Sequence, residues 1–244
     1  MERDVYGEAL YDFHVLGELK EPLLLHSSYG DIEEMPVAVF FRDDTDFPEL
    51  EHIALALCDG RVLDVGAGVG SHALYLQQQD FDVTALEISE AACSIMKQRG
   101  VQKIIREDFF ALQEGNYDTL LFLMNGIGLV GTIAGLRALL RHSKKLLSDK
   151  GQLLFDSSNI AYLYEEYRIP KPEHYFGEIH FQYEYKGHKG KPFHWLYIDQ
   201  QELIKIAREE GWVVQILFED DNDQYLVRME PLFSSFSLTK KKCK

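Results

Sequence analysis

The run VLDVGAGVGSHAL, residues 62–74, decides the fold. An apolar strand enters Gly66, Gly68 and Gly70, and a helical pattern follows at once. Glycines let a ligand approach the backbone closely, and the helix that follows starts with amides that lack intrahelical partners. Outward from this turn the chain alternates short apolar strands, RVLDVG (61–66), DVTALE (82–87), KIIRED (103–108), TLLFLMN (119–125) and QLLFDS (152–157), with amphipathic stretches at 71–79, 89–99 and 132–148. Parallel strand pairs need crossovers of that length, and nearly all-apolar strands belong to a sheet covered on both faces. The segments VVQILFED (213–220) and QYLVRME (224–230), joined by a turn at Asp221 to Asp223, finish the sheet with an antiparallel edge.

The turn is not that of a dinucleotide-binding protein. G-x-G-x-x-G would put its third glycine one position later, where Ser71 stands. Asp64, two residues ahead of the turn, would face a pyrophosphate unfavourably but would attract the ammonium or sulfonium of S-adenosylmethionine. The alternative for Asp64 is a loop or capping carboxylate. Glu87 ends the second strand and can accept from both hydroxyls of a ribose. Asp108 ends the third, where it could accept from an exocyclic adenine amine or simply cap the next helix. Ile88 and Phe109 offer apolar surface to the adenine ring.

The ordered motifs VLDVGAGVGSHALYL, VTALEIS, REDFF, YDTLLFLMNGIGL and GQLLFDSS resemble those of class I S-adenosylmethionine-dependent methyltransferases over roughly residues 60–158. The resemblance implies an α/β, Rossmann-like, doubly wound fold with a mainly parallel seven-stranded sheet. It implies that Asp64, Gly66, Ala67 and Gly68 embrace the methionine part of the donor, that Glu87 holds the ribose, that Asp108 contacts adenine, and that Asn125 lies near the reacting methyl. The cofactor is then S-adenosyl-L-methionine.

MNGIGLVG (124–131) leaves the fourth strand with three glycines and one polar side chain, Asn125, which could orient the donor or the acceptor. It lacks the N-P-P-Y type of pattern found in relatives that methylate adenine or glutamine nitrogens. Methyl transfer from a sulfonium gains most from positioning, and a base serves only a nucleophile that carries a proton. The candidates for that base are His194, His180 and Asp156. His194 leads because a histidine titrates near neutrality and because Phe193, Trp195 and Tyr197 could form an aromatic wall around it.

Residues 158–198 read as an inserted cap whose second half is a hairpin, EIHFQYEY (178–185) turning through Gly187 and Gly190 to FHWLYI (193–198). Residues 1–59 read as an N-terminal helical lid in which His26 and Tyr29 occupy a loop. Residues 60–157 form the donor-binding core, and 199–244 complete a single domain that ends in a solvated KKKCK tail. Tyr29, His180, Trp195 and Tyr197 are the candidate acceptor contacts. Across 168–197 five basic residues, Arg168, Lys171, Lys186, Lys189 and Lys191, outnumber three acids, which favours either an anionic acceptor or a charged, soluble hairpin.

A net charge of −15 repels phosphodiesters and argues against a nucleic-acid substrate. The three dispersed cysteines Cys58, Cys93 and Cys243 suit neither a disulfide framework nor a metal cluster. Neither a secretory signal nor a run of roughly 18 apolar residues is present, so a cytoplasmic protein with a small-molecule acceptor is expected. An RNA methyltransferase, an NAD-dependent oxidoreductase and a non-catalytic donor-binding module remain the alternatives.

Overall fold

The computed structural model describes residues 3–232 apart from 31, 167 and 169, so Tyr167, Cys243 and the KKKCK tail lie outside the described residues. The chain opens with helix α1 (Val5–Leu16), capped by Asp4, whose carboxylate accepts from the Gly7 amide at 2.8 Å, and ended by Gly17 at φ 79°. Strands β1 (Leu23–Ser27) and β2 (Glu33–Met35) follow, then helix α2 (Glu49–Ala56) behind Pro48. The alternating part runs β3 (Arg61–Val65), α3 (Ser71–Gln78), β4 (Asp82–Glu87), α4 (Glu90–Arg99), β5 (Ile104–Arg106), β6 (Tyr117–Phe122), α5 (Ile133–Leu146) and β7 (Leu147–Ser158). The remainder is α6 (Ala161–Glu166), β8 (Glu178–Tyr185), β9 (His188–Lys189), β10 (Phe193–Leu196), α7 (Gln200–Glu209), β11 (Trp212–Glu219) and β12 (Gln224–Pro231).

The large sheet has seven strands in the order β11-β12-β7-β6-β3-β4-β5. From β7 to β5 all neighbours are parallel, and β12 is antiparallel to both β7 and β11, which makes the antiparallel edge a two-strand one. The fold is therefore α/β with the mainly parallel, Rossmann-like sheet that the sequence predicted. The pleat sends alternate residues to opposite faces. Leu63, Leu120, Phe155 and Leu139 of α5 build the core on one side, while Val62, Leu121, Leu154 and Leu76 of α3 build the core on the other. Each such side chain contributes about 1.5–3 kcal/mol by leaving water.

The N-terminal segment departs from the sequence reading. Residues 23–27 and 33–35 are strand, which takes His26 out of the expected loop and leaves Tyr29 in it: β1 pairs with β2 and, in register Leu24↔Glu184 to Ser27↔Phe181, with β8. A second, antiparallel sheet results, β10-β8-β1-β2 with β9 on β8, so the cap hairpin is completed by strands about 150 residues earlier in the chain. LLLHS is too short for its period to be read, and leucine favours helix; only the pairing with β8 makes it a strand.

Candidate functional site

The glycine turn is fastened at the carboxyl end of the sheet. The amides of Gly66 and Ala67 donate to the Leu86 carbonyl at 2.9 and 3.1 Å, and Gly66, Gly68 and Gly70 all take positive φ (70°, 55° and 84°). A side chain at Gly66 would meet nothing within 4 Å, and one at Gly68 only the Tyr6 hydroxyl at 3.8 Å, so the space above the turn is open. Glu87 reaches into it. Its carboxylate accepts from the amides of Gly68 (2.9 Å), Ile88 and Ser89 (2.8 Å each). Burial pushes its pKa up, and those three amides hold part of the rise back.

Asp64 is 2% exposed, and its Oδ2 is buried without a hydrogen-bond partner among the described residues. Desolvation raises its pKa to about 6, against the pull of His72 and the Ala73 amide. Next to it, Glu51 of α2 accepts from His72 at 2.8 Å and from Arg42 at 2.7 Å. Burial alone would push Glu51 up, but His72 and Arg42 outweigh it and hold the carboxyl below its usual range. A buried anion with one oxygen unanswered, beneath an open turn, fits the ammonium of a donor's methionine part. The sequence did not point to Glu51, Arg42 or His72, because their meeting depends on how α2 crosses α3.

Beyond β6 the chain turns at Met124 and Asn125, both at positive φ (62° and 54°), which costs roughly 1–2 kcal/mol per residue for side chains other than glycine. Asp156 holds this turn. Its Oδ2 accepts from the Asn125 amide and from Gln224 Nε2, both at 2.8 Å, and Ser158 donates to Asn125 Oδ1 at 3.1 Å. Asp156 is fully buried, its Oδ1 has no partner among the described residues, and desolvation raises its pKa to about 6. It was expected near the end of a strand, as a base, and it does lie near the end of β7. The contacts that it makes are those of a positioning residue for the Asn125 turn.

The cap sheet closes against both turns. Trp195 packs so tightly over Gly128 that a Cβ there would fall 2.0 Å from the indole Nε1. Tyr6 of α1 stacks on Tyr183 (centroids 5.3 Å, 22°), Tyr183 meets Phe193 at 5.3 Å, and Phe193 meets Trp195 at 6.2 Å, edge-on. This ladder of rings runs from the open Gly68 to the covered Gly128. Tyr197 belongs to the same face, and Tyr29 meets Phe181 of that face edge-on at 6.2 Å. Burial pushes the phenols of Tyr6 and Tyr183 well up and that of Tyr197 to about 12.

Three expectations change here. His194 and His180 are cross-strand partners with rings 3.8 Å apart, and the pleat sets them on the face opposite Phe193, Trp195 and Tyr197, where both are exposed. The proposed aromatic wall therefore does not enclose His194. Phe109, expected to lie against adenine, is 4% exposed and belongs to the core with Phe122; Ile88, by contrast, is 70% exposed at the end of β4. Asp108 is exposed and, as one of its two expected roles, caps a short 3-10 turn, accepting from the Phe110 amide at 2.7 Å. The cap lysines do not converge: Lys186 pairs with Asp12 of α1, Lys189 lies 3.9 Å from Glu184, and Lys171 sits over the Phe176 ring.

Helix α1, in which the sequence named no site residue, locks onto the turn that carries Glu87. Ser89 Oγ donates to Asp4 Oδ2 at 2.5 Å, and this brings Tyr6 over Gly68. A lone tyrosine in an N-terminal helix gives no sequence signal of that position.

A family model described as a methyltransferase domain matches residues 45–215. The crystal structure of a SAM-dependent methyltransferase from Bacteroides fragilis in complex with S-adenosyl-L-homocysteine is 38% identical, with TM-score 0.86, over 93% of this chain and 94% of that one. The PH0226 protein from Pyrococcus horikoshii (18% identity, TM-score 0.58, 78% and 94% covered) and the CcbJ methyltransferase from Streptomyces caelestis (15%, 0.56, 77% and 94%) share the fold. No curated protein matches the chain.

Proposed function

The chain belongs to the methyltransferase-domain family and is a class I, S-adenosylmethionine-dependent methyltransferase; on that premise we propose that it methylates a small molecule held between its glycine turns and the aromatic face of the cap sheet. The ladder from Tyr6 to Trp195 carries this reading, because it spans the distance between the donor turn and the Gly128 turn with apolar surface. Bound S-adenosylmethionine supplies an electrophilic methyl on a sulfonium. Asp64 and the turn at Gly66, Ala67 and Gly68 hold its methionine part, Glu87 its ribose, and Ile88 and Asp108 its adenine side. Asn125, fixed by Asp156, orients the reacting groups, and the cap excludes water from them.

The same reading treats residues 1–244 as one domain, with segment 1–59 contributing part of the cap, and assigns the protein to the cytoplasm. No helix among the described residues is long and apolar enough to cross a membrane. The acidic surface, −15 overall, supports a small acceptor over RNA. The test is release of S-adenosylhomocysteine when the purified protein is given the methyl donor with, separately, low-molecular-weight extract, total RNA and denatured protein. Release with the first alone is expected; release only with RNA or protein would overturn the proposal.

A further inference from the structure

From the chemistry of the acceptor recess we infer that the methylated group is an amine nitrogen, carried by a small molecule that docks as its ammonium against Tyr183, Trp195 and Tyr197 with Asp156 behind them. The inference rests on the small-molecule reading above and names the substrate class of that same site.

Three observations carry it. First, the recess is aromatic and its hydroxyls are unspent. Tyr6, Tyr183, Phe193, Trp195 and Tyr197 all keep accessible surface although they sit between the cap and the core. The hydroxyls of Tyr6, Tyr183 and Tyr197 have no hydrogen-bond partner among the described residues. Ring faces and phenol oxygens attract a cation and accept from N–H donors. Second, the charges that reach this space are negative. Tyr197 feels Glu33 and Asp156, Tyr6 feels Glu87 and Asp4, and the orphaned Oδ1 of Asp156 is a buried acceptor awaiting a donor. Three cations of the N-terminal and cap segments are engaged elsewhere: Lys186 by Asp12, Arg42 by Glu51, and Arg99 by the Val69 carbonyl, which it meets at 2.8 Å. A carboxylate or phosphate acceptor would meet repulsion from these acids.

Third, no histidine among the described residues stands on the aromatic face. His180 and His194 lie on the opposite one, and His26 is held at 2.8 Å by Glu184. A hydroxyl acceptor needs its proton removed during the attack; phenols raised this far are poor bases near neutrality, and the Asp156 carboxylate is committed through Oδ2 to Asn125 and Gln224. An amine needs no such help once it is neutral. The docked ammonium gives up one proton to solvent before the cap excludes water from the reacting groups; its nitrogen lone pair then forms the C–N bond while the methyl carbon's bond to sulfur breaks, with that electron pair going to sulfur. The positive charge passes from sulfur to nitrogen and is never annihilated. An acid-flanked aromatic recess stabilises it at both ends of the path, which is differential stabilisation of the kind that catalysis requires.

The experiment uses three probes of similar shape, benzylamine, phenylacetate and benzyl alcohol, titrated into the full-length protein saturated with S-adenosylhomocysteine and followed by tryptophan fluorescence. Trp195→Phe assigns the signal, since the other tryptophan, Trp212, is buried in the core. Benzylamine is expected to quench Trp195 and to bind at least tenfold more tightly than either other probe. Tyr197→Phe should weaken benzylamine about fivefold and leave benzyl alcohol unchanged, in a protein that S-adenosylhomocysteine still stabilises against heat. Equal or tighter binding of phenylacetate or benzyl alcohol, or no response to any of the three, overturns the amine assignment. In the turnover assay, methylation of small carboxylates or alcohols but not amines also overturns it and leaves the small-molecule reading standing. Turnover only on RNA or protein brings down that reading itself.

Discussion

Two turns of this molecule carry three glycines each, and Gly66 and Gly68 of the first contrast with Gly128 and Gly131 of the second. At Gly66 the protein leaves the space above the backbone open, and at Gly68 only a tyrosine hydroxyl approaches it. At Gly128 and Gly131 the protein fills the space itself, with the Trp195 indole and the His194 Cβ. The first leaves its backbone open; the second is the seat on which the cap rests. Glycine in a strand-to-helix turn thus signals close approach and does not say of what.

Gly128→Ala gives the sharpest test of that contrast. The new Cβ would overlap Trp195, so stability should fall by about 3 kcal/mol in urea unfolding, the upper range for an overpacked site, and Trp195→Ala in the same chain should restore much of it. An unchanged midpoint would mean that the cap does not rest on this turn.

Asp64→Asn acts on the other turn and separates binding from stability. Loss of the buried charge should weaken S-adenosylmethionine binding roughly 10–100-fold, the range for a charge-assisted hydrogen bond. The same substitution should raise the melting temperature at pH 7. Because Asp64 and Asp156 are raised from 3.8 to about 6 in the folded protein, the folded state keeps protons that the unfolded chain releases between those values, and stability falls as pH rises across that window. Donor affinity runs the other way, declining as pH drops below about 6 and the Asp64 carboxyl takes up its proton. A donor affinity flat from pH 7 to pH 5 would exclude Asp64 as the ammonium's partner.

Glu87→Ala should weaken donor binding at least tenfold, about 1.4 kcal/mol, measured by calorimetry. Gly66→Ala meets no steric obstacle and should cost only about 1 kcal/mol of stability, from its positive φ, while still reducing donor affinity. A loss as large as that of Gly128→Ala would erase the distinction between the two turns. Smallest of all, His194→Gln should leave kcat/KM within about twofold, because its ring lies across the sheet from the aromatic face.

The two sheets differ in legibility in the same way. Each strand of the large sheet follows or precedes its crossover within about twenty residues, so apolar runs such as LLFL and amphipathic helices such as Ile133–Leu146 report it locally. The boundaries moved little, although β7 begins at Leu147, five residues earlier than the apolar run QLLFDS implies. In the cap, only the β8–β10 hairpin was visible from the sequence. Its third and fourth strands come from residues 23–35, and nothing local in LLLHS or EEM announces a partner at 178–185.

What the sequence determined by itself is the parallel α/β core, the glycine turn after its first strand and the acids at its strand ends, because hydrophobic period and glycine spacing are local properties of the chain. The tertiary structure alone decided which side of the cap faces the cleft. A one-residue alternation separates Trp195 from His194, and only the register of β10 on β8, with β1 beyond it, says which of the two points inward. It also decided that Tyr6 covers the donor turn and that Asp156 holds Asn125, since both contacts join residues that neither spacing nor periodicity can bring together.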